Sequence, residues 1–325
     1  MGRSKNIEVA FLALEDKIKA GVYGKLNSFL LHSKDLPPLE SYFNGYTAEM
    51  LHEFQSVTKS LQCFLLGIAV ERGLIKDIDI PIKAFFEEVN GLDWGDGKAA
   101  ITIRHLMQMT AGLDWNEGYT SYLSLQNHSN CLAWSNNWVE YALSRPMRYK
   151  PGESFLYSSA NPILLSAIFN KVYEGGHEAF VKKYLFEPLQ ISQYWYHRSA
   201  AHPHILADVD LLPKDMAKFG KLVAQGGMWK KKRLLSRAWV DAMLNSQVTT
   251  NEVDKNYSFG WWHTYIKSSD DLHLCHYAWG YGSQHIFILP SLDVVMVCTG
   301  KNYETTLHKG PFDLLREVIG LLEVK

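Results

Sequence analysis

Residues 54–73 read FQSVTKSLQCFLLGIAVERG, and this stretch organises the rest of the chain. Leu61, Leu65 and Ile68 share one face of a helical period and Gly73 stops the run, which predicts a helix from Ser56 to Arg72. Ser56 and Lys59 stand at its start, at i and i+3, on one face and one turn apart. A helix N-terminus surrounds such a serine with free backbone N–H groups and the positive end of the dipole. Ser-x-x-Lys by itself carries little, because composition gives roughly two such spacings by chance in a chain of this size. Position at the head of the strongest helix sets this one apart. A lysine with a pKa of about 10.4 is a poor base at neutral pH. Burial or a second cation is expected to lower it enough to take the serine proton. The plain structural alternative is an N-cap serine beside a solvated lysine.

On either side the periodicity changes. Leu26–Leu31 and Leu39–Phe43 read as a hairpin, with its turn at Ser33 to Pro38. Tyr257–Ile266, Leu272–Ala278, Ser283–Leu289 and Asp293–Thr299 are β-branched or aromatic runs separated by turn signals. Helices are predicted at Thr102–Met109, at Asn161 (N-cap) and Pro162 (N1) through Tyr173, and at His177–Phe186, Pro213–Gln225, Ser236–Leu244 and Pro311–Leu322. Ile7, Phe11, Leu14 and Ile18 mark one face of an N-terminal helix, and Asp114–Trp138 reads as long loops. Strands at both ends with helices between them predict an α+β fold. One antiparallel sheet, flanked by helices, is built from residues 1–75 and 245–325, and a mainly helical domain, 76–244, is inserted between them. A cleft between the two is the default site.

The chain has 325 residues, 47% of them hydrophobic, which excludes a disordered polymer. Lys plus Arg number 33 against 34 Asp plus Glu, leaving no global charge to draw nucleic acid or an anionic membrane. No apolar run approaches the roughly 20 residues of a membrane span. The N-terminal apolar stretch is interrupted by Glu8, so no secretory signal is expected. Cys63, Cys131, Cys275 and Cys298 are widely spaced and read as free thiols. Together these features point to the cytoplasm. The closest histidine pairs, His202/His204 and His273/His276, lack a third ligand at metal-site spacing. No metal and no cofactor is expected.

GxSxG, GxxxxGK, GxGxxG and HExxH are all missing. Two further segments suit the Ser56–Lys59 spacing. Tyr157-Ser158-Ser159 precedes a helix start, and a tyrosine hydroxyl beside a lysine relays a proton. His276-Tyr277-Ala278-Trp279-Gly280-Tyr281-Gly282-Ser283-Gln284 leads into a strand, where glycines permit close backbone approach and an edge N–H completes an oxyanion hole with that of Ser56. Singly, Tyr157 reads as a structural tyrosine and the glycines as a turn.

Ser-x-x-Lys, then Tyr-Ser-Ser, then Gly-Tyr-Gly-Ser-Gln resembles the serine β-lactamase-related family, which includes class C β-lactamases, D-Ala-D-Ala carboxypeptidases, family VIII esterases and 6-aminohexanoate-dimer hydrolases. Residues 101–106 and 109–113, Ala217–Gly220 and Phe287–Pro290 resemble it too, so the likeness runs from about residue 25 to 320. It implies a β-lactamase/transpeptidase-like fold, with Ser56 as acylated nucleophile, Lys59 as general base and Tyr157 as proton relay. Ser159 stands where the family often has a substrate-contacting Asn. His276-Tyr277-Ala278 stands near the missing Lys-Thr-Gly, which counts against efficient β-lactam or D-Ala-D-Ala turnover. Trp279, Gly280 and Tyr281 are implied at the oxyanion and substrate side, with Tyr281 the preferred N–H donor. Trp115 opens an aromatic segment (Tyr119, Tyr122, Trp134, Trp138) that overhangs a cleft or simply packs the helical domain.

The expected activity is a serine hydrolase of esterase or amidase type, acting through an acyl-enzyme on a small ester, amide or short peptide-like substrate. The alternatives are a penicillin-recognising peptidase or weak β-lactamase, and a non-catalytic scaffold of the same fold.

Overall fold

A computed structural model of the chain describes residues 2–34, 36–89, 91–118, 120–198, 205–268, 271–305 and 309–323. In chain order it forms α1 (Gly2–Lys19), β1 (Leu26–Ser33), β2 (Leu36–Tyr42), β3 (His52–Glu53), α2 (Thr58–Glu71), α3 (Lys83–Phe86), α4 (Ile103–Met107), α5 (His128–Trp134) and α6 (Trp138–Ser144). There follow α7 (Ala160–Val172), α8 (Gly176–Val181), α9 (Glu187–Leu189), β4 (Tyr194–His197), β5 (Asp208–Leu211), α10 (Pro213–Ala224), β6 (Met228–Trp229), β7 (Lys232–Arg233) and α11 (Arg237–Asn245). The last are β8 (Val248–Thr249), β9 (Asn256–Ser258), β10 (Trp261–Lys267), β11 (Leu272–Gly280), β12 (Gln284–Leu289), β13 (Val294–Gly300) and α12 (Gly310–Glu323).

Two compact units result: Met1–Val57 with Asp210–Gln225 and Trp262–Lys325, and Thr58–Val209 with Gly226–Trp261. α2 falls in the second unit and α10 in the first. Packing gives the reason. A β-carbon at Gly220 of α10 would lie 2.7 Å from Ile286 and 2.8 Å from Val295, so that helix rests on the sheet.

In the first unit the strands run β2-β1-β13-β12-β11-β10, each neighbouring pair antiparallel. Strands from both chain ends thus share one sheet. β12 and β13 are buried at every position because both faces are covered. α10 takes the face of Ile286 and Val295. On the other face Phe312 of α12 meets Tyr277, Phe287 and His285 at 5.0, 5.1 and 5.6 Å, edge-on. Lys17 of α1 and Tyr23 in the turn after it both reach Glu317 of α12 at 2.6 Å. Of its expected face Phe11, Leu14 and Ile18 are buried; the Ile7 side chain lies outside the described residues. A buried polar chain, Ser28–Thr299–His52, with both contacts at 2.6 Å, ties β1 and β13 to β3. β3 pairs with β5 at His52–Leu211 and Glu53–Asp210.

In the second unit α2 is buried all round from Thr58 to Ala69, so it is a central helix, where the sequence pattern had shown one apolar face. Five other expectations shift. Pro37 and Pro38 lie inside β2 rather than in the turn, since an edge strand does not need their N–H groups. Ser159, not Asn161, is the N-cap of α7, because Asn161 sends its amide sideways to the Leu106 carbonyl at 3.2 Å. The run 257–266 is broken between β9 and β10 at Phe259 and Gly260, both at positive φ. The expected loops of 114–138 contain α5, capped by Asn127, and lead into α6, capped by Asn137. The predicted helix over His177–Phe186 is α8 continued by a π-turn, Lys182–Phe186. Among the described residues no helix is long and apolar enough to cross a membrane.

Candidate active site

Ser56 sits in a 3-10 turn, Gln55–Val57, that closes the first unit just before α2. Gln55 immediately before it has φ +52°, a left-handed conformation that a residue with a β-carbon adopts at a cost. Phe54 is fully buried beneath the turn while Ser56 keeps partial exposure. β11 ends against this turn. A β-carbon on Gly280 would stand 2.6 Å from the Phe54 carbonyl oxygen and 2.9 Å from Gln55 Cβ, so only glycine lets the strand backbone approach this closely.

The β11–β12 hairpin is pinned at several points. Gly282 and Ser283 have φ +86° and +78°. The Gln284 amide donates to the Gly300 carbonyl at 2.9 Å and accepts from the Gly300 N–H at 3.2 Å. Asn302 donates to Ser283 Oγ at 3.0 Å. Tyr281 donates to Glu304 at 2.7 Å, and burial with that carboxylate pushes its phenol up to about 12.

Alternation along β11 separates the other expected residues. His276 and Ala278 share the face of Gly280, whereas Trp279 lies on the opposite face, stacked 6.3 Å from His285 and edge-on to Trp262 at 6.0 Å. His276 meets His263 across the strands, Nδ1 to Nδ1 at 2.7 Å. Burial pushes them down to about 4 and about 3, so the pair is neutral at pH 7.

In the second unit Lys59 lies in the first turn of α2, buried, with Nζ 4.9 Å from the centroid of the Tyr157 ring. Gly260 lets its own backbone press on this turn. Its β-carbon would stand 2.7 Å from the Lys59 carbonyl, and Ser60 Oγ donates to the Gly260 carbonyl at 2.6 Å. Burial alone lowers the Lys59 ammonium, but Tyr157, Glu117 and Asp208 outweigh it and hold the group above its ordinary value. The expectation of a lysine lowered by burial is therefore corrected, because its surroundings are anionic. Thr58 donates to Asp208 at 2.5 Å. Tyr157 is also edge-on to the buried Tyr257 at 6.5 Å.

Glu117 is the residue that sequence reasoning missed. It is buried in the second unit, with Trp115, Tyr122 and Ser159 all donating to its carboxylate. An acidic residue in an Asn-, Ser- and aromatic-rich loop looks solvated; the one available signal was the pair of ring donors flanking it, Trp115 and Tyr122. Trp115 is itself buried, edge-on to His128 and Tyr141 at 5.4 and 6.1 Å. Trp138 is buried, Trp134 is exposed, and Tyr119 lies outside the described residues.

Among the described residues one grouping offers three possible metal ligands within 4.8 Å of one another: Asp271, His273 and Glu323, in the first unit. Both nitrogens of His273 are already engaged, with Ser291 at 2.9 Å and Glu323 at 2.7 Å. His202 and His204 lie outside the described residues.

The 6-aminohexanoate-dimer hydrolase of Paenarthrobacter ureafaciens is 24% identical over 251 residues, which are 69% of this chain and 61% of that protein. A solved structure from Bacillus anthracis, described as a 6-aminohexanoate-dimer hydrolase, superposes with a TM-score of 0.78 at 18% identity, covering 95% of this chain and 82% of the other. The D-amino acid amidase of Ochrobactrum anthropi SV3 superposes with a TM-score of 0.73 at 16% identity, covering 98% and 99%. The fold is therefore β-lactamase/transpeptidase-like, an antiparallel sheet with helices. Residues 39–314 match the family described as beta-lactamase, a span holding the Ser56 turn, Lys59, Tyr157 and the Gly280 hairpin alike, and the chain belongs to that family.

Proposed function

We propose that the protein is a serine hydrolase that cleaves a small ester or amide through an acyl-enzyme on Ser56. The observation that carries the reading is Lys59 buried against the face of Tyr157, three residues after a serine that directly follows the left-handed Gln55. Once the Lys59–Tyr157 pair has lost one proton, Ser56 Oγ attacks the substrate carbonyl and its proton passes to that pair. The tetrahedral oxyanion is held by the Ser56 N–H and an N–H at the end of β11, with Tyr281 preferred. Collapse breaks the bond to the leaving alcohol or amine, which takes up the proton. Water then attacks the acyl-enzyme and gives its proton to the same pair, releasing the acid and restoring Ser56.

Amide substrates suit the relatives, whose names specify an aminohexanoate dimer and a D-amino acid amide. His276 is bound to His263 and neutral, so it offers no cation for a substrate carboxylate at the position of the missing Lys-Thr-Gly. This favours uncharged acyl groups over β-lactams and peptide C-termini.

Turnover of p-nitrophenyl butyrate is expected for the wild type. Ser56→Ala is expected to abolish it with little change in thermal midpoint, and a fluorophosphonate probe is expected to add its mass to Ser56. Retained turnover in Ser56→Ala, or a label on another residue, overturns the assignment. A folded protein that takes no label supports a binding scaffold instead.

A further inference from the structure

Glu117 and Asp215 are the buried carboxylates among the described residues, and they are treated differently. Asp215 has the Lys218 ammonium at 2.6 Å. Glu117 is surrounded by neutral donors. Oε2 accepts from Trp115 Nε1 and from the Ser159 N–H, both at 2.7 Å. Oε1 accepts from the Ser159 hydroxyl at 2.7 Å and from the Tyr122 hydroxyl at 2.9 Å. A carboxylate has about four lone-pair positions, and all are taken. Glu117 thus has nothing left for a substrate group or a proton in flight. Its charge remains, in a medium where charges act over longer distances than in water.

The groups around it fit such a role. Ser159 is the N-cap of α7, yet its side chain makes no capping bond, because its hydroxyl is given to Glu117. Capping falls to Ser158, whose Oγ accepts from the Ala160 N–H at 3.1 Å. The segment following Tyr157 is therefore fixed through Glu117. The Glu117 loop is held in turn by Asn127, which donates to the Glu117 and Thr120 carbonyls at 3.2 and 2.8 Å. Around Lys59 the acidic and phenolic groups are Tyr157, Glu117 and Asp208, with the neutral Tyr257 behind Tyr157.

We propose that Glu117 is the positioning residue of the Ser56–Lys59–Tyr157 centre. Its saturated carboxylate fixes the Tyr157–Ser159 segment, its charge keeps Lys59 an ammonium in the resting protein, and Glu117 thereby sets the pH range in which Ser56 is activated. The inference deepens the serine-hydrolase reading and rests on it.

The test is the pH dependence of fluorophosphonate labelling of Ser56 and of ester hydrolysis in the wild type, Glu117→Gln and Tyr122→Phe. Glu117→Gln removes the charge, so the ascending limb is expected to move to lower pH by about one unit. Tyr122→Phe removes one donor and keeps the charge, so its limb should stay with the wild type. A Glu117→Gln protein that melts cooperatively with its limb unmoved overturns the inference. A wild type that takes no label overturns the hydrolase reading itself. A second measurement needs no Glu117 variant: NMR of ¹⁵N-lysine wild-type protein, with Lys59 assigned from Lys59→Arg. Lys59 is expected to be an ammonium at pH 7, and a free amine there overturns the inference even if Glu117→Gln fails to fold.

Discussion

Gly280 faces Phe54 so closely that a β-carbon on the glycine would stand 2.6 Å from the Phe54 carbonyl oxygen. Its φ is not in the left-handed region, so backbone strain does not require glycine here; the contact does. Gly280→Ala is therefore expected to push the end of β11 off the Ser56 turn without disturbing the rest of the sheet. Overpacking of this kind costs about 1–3 kcal/mol. Hydrolysis and probe labelling should fall at least about tenfold, since a displacement of about 1 Å costs up to about a hundredfold in a positioned reaction. Wild-type labelling rates in Gly280→Ala would show that the strand end does not serve the serine.

Gln55 carries the strain of the same turn at φ +52°. Left-handed backbone costs a residue with a β-carbon about 1–2 kcal/mol, and most for a β-branched one. Gln55→Gly relieves this, but frees the unfolded chain by about 0.5–1 kcal/mol, so its denaturant midpoint should lie at or slightly above the wild type. Gln55→Val should be less stable by at least about 1 kcal/mol and label more slowly at Ser56. A Gln55→Val protein as stable and reactive as the wild type would show that the turn is not strained.

The strands were legible because each depends on local signals. β1, β11, β12 and β13 are each a short β-branched or aromatic run between turn residues, and helices such as α10 and α12 begin at prolines that mark their own starts. Position of Ser56 and Lys59 at the head of α2 was legible for the same reason. What escaped was set by tertiary contact. The break at Gly260 is dictated by the α2 backbone pressing on it, which a β-rich run does not announce. Asn161 is not the α7 cap because its amide goes to the Leu106 carbonyl, 55 residues earlier, and the Ser159 hydroxyl makes no capping bond because Glu117, 42 residues earlier, takes it. The charge state of Lys59 escaped likewise, since a lysine's own sequence neighbours do not include Glu117 or Asp208.

Burial holds His52 and His276 down to about 4, and His177 and His263 to about 3. Unfolded histidine titrates near 6.5, so below that pH the unfolded chain binds protons that the folded protein refuses. Linkage then makes stability full above about pH 6.5 and progressively lost as pH falls toward the folded values. The urea midpoint should be flat from pH 8 to 6.5 and decline between 6.5 and 5, above the range of ordinary carboxylates. An unchanged midpoint at pH 5 would mean that these imidazoles are more accessible than their burial implies.

Asp208 supplies the last test of the charge around Lys59. It accepts from Thr58 at 2.5 Å and from the Val209 N–H at 2.7 Å, and among the influences that favour the Lys59 ammonium its contribution is the smallest, below those of Tyr157 and Glu117. Asp208→Asn should therefore move the ascending limb of Ser56 labelling to lower pH, in the same direction as Glu117→Gln and by a smaller amount. A shift to higher pH in Asp208→Asn would mean that the serine is activated by a group other than Lys59. A shift larger than that of Glu117→Gln would move the controlling charge from the Glu117 loop to the strand that carries Asp208.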